Sequence, residues 1–380
     1  MDITIILTYN LTNPKDNMGL PTYCRELLKK HQDIGKTKII NIELKKQKKP
    51  PKKEKFYEHN VITFYAPVYY KDTDENTRIQ ITEYMKKIQK NNKIKKIIYP
   101  DFIFEIYINE EFLKKNNIIK TMFIHLLNRG LLDKATRYED TKKNIQYLKQ
   151  IIINSQREYK TVKTSDEFIC NSEFTKEDLM KHYAEAIKDK RVYVTLLGVN
   201  KEIFNYSPQL SKPSWLFFGR LDIQKGLFFI LKDMEKNAFK YKENPLILAG
   251  GFGGLRRDFE FMERQGLVVM RGNLQKDELI EGMRKVKYCV FPSIYEPWCL
   301  ALTEAMAMGK ICIIHSADSG MREQIIHGEN GFIIDFEKDS IIEYIEKLEK
   351  SNINFEKIAK RARNSARDFN EHYKEIKKHL

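Results

Sequence analysis

Short β-branched runs alternate with longer stretches of helical period along almost the whole chain, and this alternation leaves few folds open. In the first 200 residues, ITIILTY, KIINIEL, VITFYAP, KIIYPDF, KTMFIH, EFICNS and VYVTLLG read as strands. Between them, YCRELLKKHQ, TRIQITEYMKKIQK and NIQYLKQIIINSQREYKTV place apolar residues at helical spacing. Strand followed by helix, repeated, builds a mostly parallel sheet with helices on both faces.

The pattern restarts after NYSPQLSKPSW, a segment with two prolines and three serines that reads as a linker. A second series follows: WLFFGR, PLILAGG, LVVMRG, YCVFPS, ICIIHS and GFIID, separated by helices such as KGLFFILKDMEK, KDELIEGMRKV and LALTEAMAM. The expected architecture is α/β: two doubly wound, Rossmann-like domains, residues 1–205 and 206–355, facing across a cleft. The tail, residues 356–380 within FEKIAKRARNSARDFNEHYKEIKKHL, reads as a long helix returning to the first domain. Ligands of such sheets bind at the carboxyl ends of the strands.

Composition narrows the function. The chain has 380 residues, 42% hydrophobic and 31% charged, which is globular composition. No apolar run reaches the roughly 18 residues a membrane span needs. MDITIILTYN reads as a buried strand rather than a signal peptide. The five cysteines are scattered with no C-x-x-C pair, so a cytoplasmic protein without disulfides or a zinc site is expected. The net charge of +15 favours an anionic partner, or reflects solvated lysines. The densest run, LKKQKKPPKKEK from Leu44 to Lys55, holds seven lysines and reads as an exposed loop broken by its prolines. Lys48, Lys49, Lys52 and Lys53 are the candidates for an anion or acceptor surface.

Two motifs point to chemistry. FFGRLDIQKG puts Arg220 and Lys225 just past a strand end with Gly219 and Gly226 beside them, where both cations can reach one diphosphate. A lysine at a helix start, disfavoured by the macrodipole, asks for an anion. PSIYEPWCLALTEAMAMGK then carries two acids, Glu296 in the strand-to-helix turn and Glu304 about two turns into the helix. Carboxylates accept hydrogen bonds, and vicinal sugar hydroxyls donate them. Two acids spaced in this way suit a ligand with a sugar at each end, such as a nucleotide sugar.

FFGRLDIQKG, then SIYEPWCLALTEAMAMGK, then SGMREQIIHGENGFIID resembles the retaining glycosyltransferases of family 4 and their glycogen-synthase-like relatives, which have the GT-B fold. The resemblance implies a metal-independent hexosyltransferase with no cofactor, using a nucleotide-sugar co-substrate, UDP-glucose-like above all. Arg220 and Lys225 would grip the diphosphate. Glu304 would bind the ribose, and Glu296 would lie by the transferred sugar. The amides of Cys299, Leu300 and Ala301 would assist at the helix start, although many relatives have glycine at Cys299 or Leu300. Leu274, in the turn GNL, would border the base. In the first domain, Gly19 of NMGLPTYCRELLKKH would bring an amide to the phosphates, and His125 of KTMFIHLLNRG would lie near the reacting sugar. The acceptor would be a glycan, a lipid-linked molecule, a protein or DNA, with peripheral contact at the inner membrane face left open.

Two other strings are set aside. Asp72-Thr73-Asp74 imitates a metal-binding D-x-D but opens a helix, where such residues are caps. AGGFGG lacks the G-x-G-x-x-G spacing of a dinucleotide loop. The rivals are a phosphorolytic or epimerising enzyme of the same fold, and a non-catalytic nucleic-acid-binding protein argued from charge alone.

Overall fold

The computed structural model describes residues 1–11, 19–31, 35–45, 49–67, 74–138, 144–209, 211–251 and 253–380. Their contacts form two compact units. Met1–Asn128, Ile152–Thr195 and Tyr373–Leu380 make the first, and Arg129–Ile151 with Leu196–His372 the second. This division by contacts falls at places other than the boundaries at 205 and 355 read from composition.

The first unit is built on eight strands: β1 (Asp2–Tyr9), β2 (Thr37–Lys45), β3 (Lys52–Phe56), β4 (His59–Pro67), β5 (Lys93–Tyr99), β6 (Ile119–Ile124), β7 (Glu167–Cys170) and β8 (Arg191–Val194). Their order is β3-β4-β2-β1-β5-β6-β7-β8. All neighbours are parallel except β3, which is antiparallel to β4. The strands are isoleucine-rich because both faces of the sheet are covered: Ile5, Ile40, Ile42, Ile94 and Ile97 are completely buried. The direction of winding reverses between β1 and β5.

The second unit has β9 (Trp215–Phe218), β10 (Leu246–Ala249), β11 (Val268–Gly272), β12 (Tyr288–Phe291), β13 (Ile311–His315) and β14 (Phe332–Ile334), in the order β11-β10-β9-β12-β13-β14. Every pair is parallel. This is the doubly wound order of mononucleotide-binding halves, and its switch point lies between β9 and β12. Both units are therefore the α/β domains expected, and each strand run quoted above forms a strand.

Two expectations fail. Leu44–Lys55 is not one loop: β2 continues to Lys45 and Lys52–Phe56 forms β3. Strand β3 is the outermost strand, and the exposed Lys52 and Lys53 lie along it. Lysines on an edge deter pairing with another sheet, which gives this run a structural reason. The prolines Pro50 and Pro51 precede the strand, where the missing N–H does no harm. Lys49 is exposed just before them, and Lys48 lies outside the described residues.

The C-terminal tail is also not one helix but two, Phe355–Ser365 and Phe369–Ile376. Val199 causes the break. Its N–H donates to Arg367 O at 3.0 Å, and its carbonyl accepts from Phe369 N at 2.9 Å, which pulls residues 366–368 into extended backbone. Asp74, by contrast, caps the helix Glu75–Asn91 as read, accepting from Thr77 N at 3.3 Å. Asp72 and Thr73 lie outside the described residues.

The loops after β9 and β12 meet at a glycine. Gly226 has φ 66°, and a Cβ there would lie 1.9 Å from Pro292 O. Gly266 has φ 75° with nothing within 4 Å of such a Cβ. Gly266→Ala should then cost only the left-handed penalty, about 1 kcal/mol. Gly226→Ala should cost a further 1–3 kcal/mol or so for the overlap. Urea unfolding followed by circular dichroism checks this ranking; equal losses would mean that the two loops do not meet as described.

Candidate functional site

At the β9 end of the switch point the chain turns through Gly219 to a short 3-10 turn, Ile223–Lys225. Asp222 caps that turn, accepting from Lys225 N at 3.3 Å. Its other oxygen pairs with Arg220 Nη1 at 3.0 Å, and Arg220 Nη2 donates to Gln224 Oε1 at 2.9 Å. The guanidinium is thus oriented but still 56% exposed. Gln224 ties this loop to the next: its Nε2 donates to Tyr295 O at 3.1 Å, and its carbonyl accepts from Ile294 N at 3.0 Å.

At the β12 end, residues 292–299 are all buried, although they form a loop. The Glu296 side chain is 8% exposed and forms an ion pair with Lys225 Nζ. Burial works against the charge on Lys225, but Glu296, assisted by Cys299, outweighs it and holds the ammonium above its ordinary pKa. Lys225 remains a cation, and an ammonium bonded to one carboxylate keeps other N–H donors for a ligand. Removing either partner would leave a buried charge alone.

The helix Leu300–Ala307 starts at Cys299, whose φ of 75° is unusual for a side chain other than glycine. This left-handed residue turns the chain sharply, so the first amides of the helix, Leu300 and Ala301 among them, have no carbonyl of their own helix to bond. Glu304 is half-buried one face along. Desolvation pushes its carboxyl up to about 7, against the pull of Lys276. Leu274 lies beside the start of the helix Lys276–Arg284 and packs on the apolar core that includes Cys299 and Leu302.

The third quoted motif supports the second. Gly320 N donates to Glu296 O at 2.8 Å. Gln324 bridges Thr303, whose hydroxyl donates to Oε1 at 2.8 Å, and Trp298, whose carbonyl accepts from Nε2. Asn330 Nδ2 in turn donates to Gln324 O at 2.9 Å. Trp298 Nε1 and Ser319 Oγ are buried polar atoms with no hydrogen-bond partner among the described residues.

In the first unit, Gly19 opens the helix Gly19–Lys30. His125 follows β6 and is half-buried, with its ring 5.0 Å from Tyr23 and 4.3 Å from Phe123. Its carbonyl accepts from Asn171 Nδ2 at 3.3 Å.

The second unit thus brings Arg220, Lys225 and Glu296 into one network, with Cys299 beside it. Sequence reasoning missed Asp222, Gln224, Lys276 and Gln324. Asp222 carried a signal, an Asp three residues before the end of a glycine-bounded turn. Gln324 carried none, because its partners lie 21 and 26 residues away. Among the described residues no helix is long and apolar enough to cross a membrane.

Residues 199–367 match the family described as Glycosyl transferases group 1. An uncharacterised glycosyltransferase of Methanocaldococcus jannaschii is 29% identical over 201 residues, 51% of this chain and 51% of that protein. The match therefore spans about half the length of that curated relative. Among solved structures, sucrose-phosphate synthase from Thermosynechococcus elongatus aligns with a TM-score of 0.74 at 17% identity, covering 99% of this chain and 98% of that one. An Anabaena protein, Alr3699/HepE, crystallised with UDP-glucose, aligns with a TM-score of 0.68 at 14% identity, covering 100% and 99%. These likenesses are of fold, and the fold is GT-B.

Gln324 has a test of its own. Gln324→Ala removes two buried hydrogen bonds and leaves the Trp298 carbonyl unsatisfied, while the Thr303 hydroxyl keeps Cys299 O at 3.4 Å. It should lower unfolding stability by about 1–3 kcal/mol for the group left unsatisfied. Chemical denaturation measures this; an unchanged midpoint would show that the turn at Glu296 does not depend on Gln324.

Proposed function

We propose that the chain is a retaining glycosyltransferase that moves a hexose from a UDP-glucose-like donor to an acceptor hydroxyl. The observation that carries this reading is the buried Lys225–Glu296 pair beside Arg220, at the strand ends where the second sheet changes direction. A cation and a carboxylate fixed side by side suit a ligand whose diphosphate adjoins a hydroxyl-rich ring. The match to Glycosyl transferases group 1 over the same residues supports it, as does the Anabaena structure, which holds UDP-glucose.

In this reading, Arg220 forks onto the diphosphate while Lys225 offers its remaining N–H donors. The amides of Cys299, Leu300 and Ala301 add positive potential at the helix start, and Gly19 contributes an amide from the first unit. Glu304 accepts from the ribose hydroxyls, Glu296 from the hexose, and Leu274 borders the base. When the sugar–phosphate bond breaks, its electron pair stays on the leaving diphosphate, whose growing charge these groups stabilise. The acceptor oxygen bonds to the anomeric carbon on the face the diphosphate leaves, and its proton passes to a phosphate oxygen. His125 contacts the sugar or the acceptor. The cations assigned to the diphosphate belong to the chain itself, so the reading needs no metal. A non-catalytic nucleic-acid-binding protein would account for the net charge but not for a buried ion pair at a sheet's switch point.

The charge-assisted contact of Arg220 should contribute roughly 1.5–3 kcal/mol to donor binding. Arg220→Ala should therefore weaken UDP-glucose binding by about tenfold or more, with stability nearly unchanged because the head is exposed. Calorimetric affinity equal to that of the unaltered protein would remove Arg220 from the site.

Glu304 adds a pH dependence. Its carboxyl is protonated below about pH 7 in the free protein, and ribose hydroxyls prefer the ionised acceptor. UDP-glucose affinity should therefore rise as pH increases from 6 to 8 and then level off. Glu304→Gln should bind more weakly and lose that slope. A flat profile for the unaltered protein contradicts the ribose role.

A further inference from the structure

Arg129–Ile151 lies in the first half of the chain but belongs to the second unit. Near one end of it, the ring of Tyr138 is 5.8 Å from that of Phe228 and 5.4 Å from that of Phe229, and its hydroxyl is 3.5 Å from His315 Nε2. Towards the other end is the first turn of the helix Ile145–Thr164. Asn144 caps that turn, its Oδ1 accepting from Tyr147 N at 3.0 Å. Asn144 Nδ2 would lie 3.6 Å from a Cβ on Gly254, so the turn packs on the loop after β10. Tyr147 is thereby brought to the loop after β9, where Asp222, Arg220 and the Gln224 N–H are near enough to act on its hydroxyl. That hydroxyl is buried and has no hydrogen-bond partner among the described residues. Burial, then Asp222, pushes its pKa up, against Arg220 and the Gln224 N–H, so it keeps its proton and stays a donor. None of these neighbours takes the hydrogen. Arg220 and the Gln224 N–H can only donate. Both oxygens of Asp222 are engaged, one by Lys225 N and the other by Arg220 Nη1. A buried donor left over in this way calls for an acceptor from outside the chain.

We infer that Tyr147 is a further donor-binding residue, whose hydroxyl donates to the diphosphate of the nucleotide sugar beside Arg220. A diphosphate brings several acceptor oxygens to one place, which is what a hydroxyl among other donors lacks. A hexose hydroxyl also accepts, but the exposed guanidinium of Arg220 next to Tyr147 favours the anion. The contact would be neutral, so it adds direction to the cations' grip without adding charge. This inference rests on the donor proposed above, and it extends that donor's site to a segment outside the three motifs.

The test is calorimetry of Tyr147→Phe with UDP-glucose and with UDP, alongside thermal melts of the free proteins. Phenylalanine keeps the ring and removes only the oxygen. Both ligands should bind about tenfold more weakly, the loss expected for one hydrogen bond to a charged group. The melting midpoint of the free variant should stay the same or rise, because the hydroxyl it loses has no partner in the free protein. A loss confined to UDP-glucose would put the hydroxyl at the hexose and overturn the assignment. Unchanged affinities for both ligands would leave water as its acceptor and overturn it too. So would a lower midpoint in the free variant, which would show that the hydroxyl already bonds within the protein. These three outcomes leave the donor reading standing. If the unaltered protein binds neither UDP-glucose nor UDP, the donor reading itself fails and this inference fails with it.

Discussion

The ion pair between Lys225 and Glu296 is the interaction on which the second unit's strand ends depend. It joins the loop after β9 to the loop after β12, the two strands between which the sheet changes direction. Such a buried pair is weak evidence of stability, since desolvating both charges opposes their attraction. Its value is positional. It sets a cation beside a carboxylate, and the surrounding hydrogen bonds leave little freedom: Asp222 and Gln224 hold Arg220, Gln224 holds the β12 loop, and Gly320 and Gln324 hold the turn around Glu296. A reacting group needs this kind of fixed surrounding to stabilise charge without reorganising.

The two acids that stood out in the sequence are in different electrostatic situations. Glu296 is paired with Lys225, whereas Glu304 is desolvated, with only Lys276 favouring its charge. The same residue type is therefore tied into an ion pair at one position and desolvated at the other. The left-handed Cys299 between them sets the direction of the helix that carries Glu304.

Most of the fold was legible in the sequence, because buried parallel strands must be apolar on both faces and so write continuous runs such as ITIILTY and YCVF. Strand β3 was not legible. KKEKF has no apolar run, and it pairs on one side only, where lysine is acceptable. The break in the C-terminal tail was hidden for a different reason: Val199 imposes it from well over 150 residues away. In the site, Arg220, Lys225, Glu296 and Glu304 could be picked out because short motifs around strand ends carry them. That Lys225 and Glu296 would pair could not, since 71 residues separate them and only the switch point brings them together.

Incubating the protein with a panel of nucleotide sugars, and following the release of nucleoside diphosphate and the anomeric configuration of the sugar product by NMR, tests the account most directly. A retaining transferase using these groups will consume a UDP-hexose, release UDP, and give a product with the donor's anomeric configuration. A protein that consumes no nucleotide sugar, or yields only the inverted anomer, would contradict it.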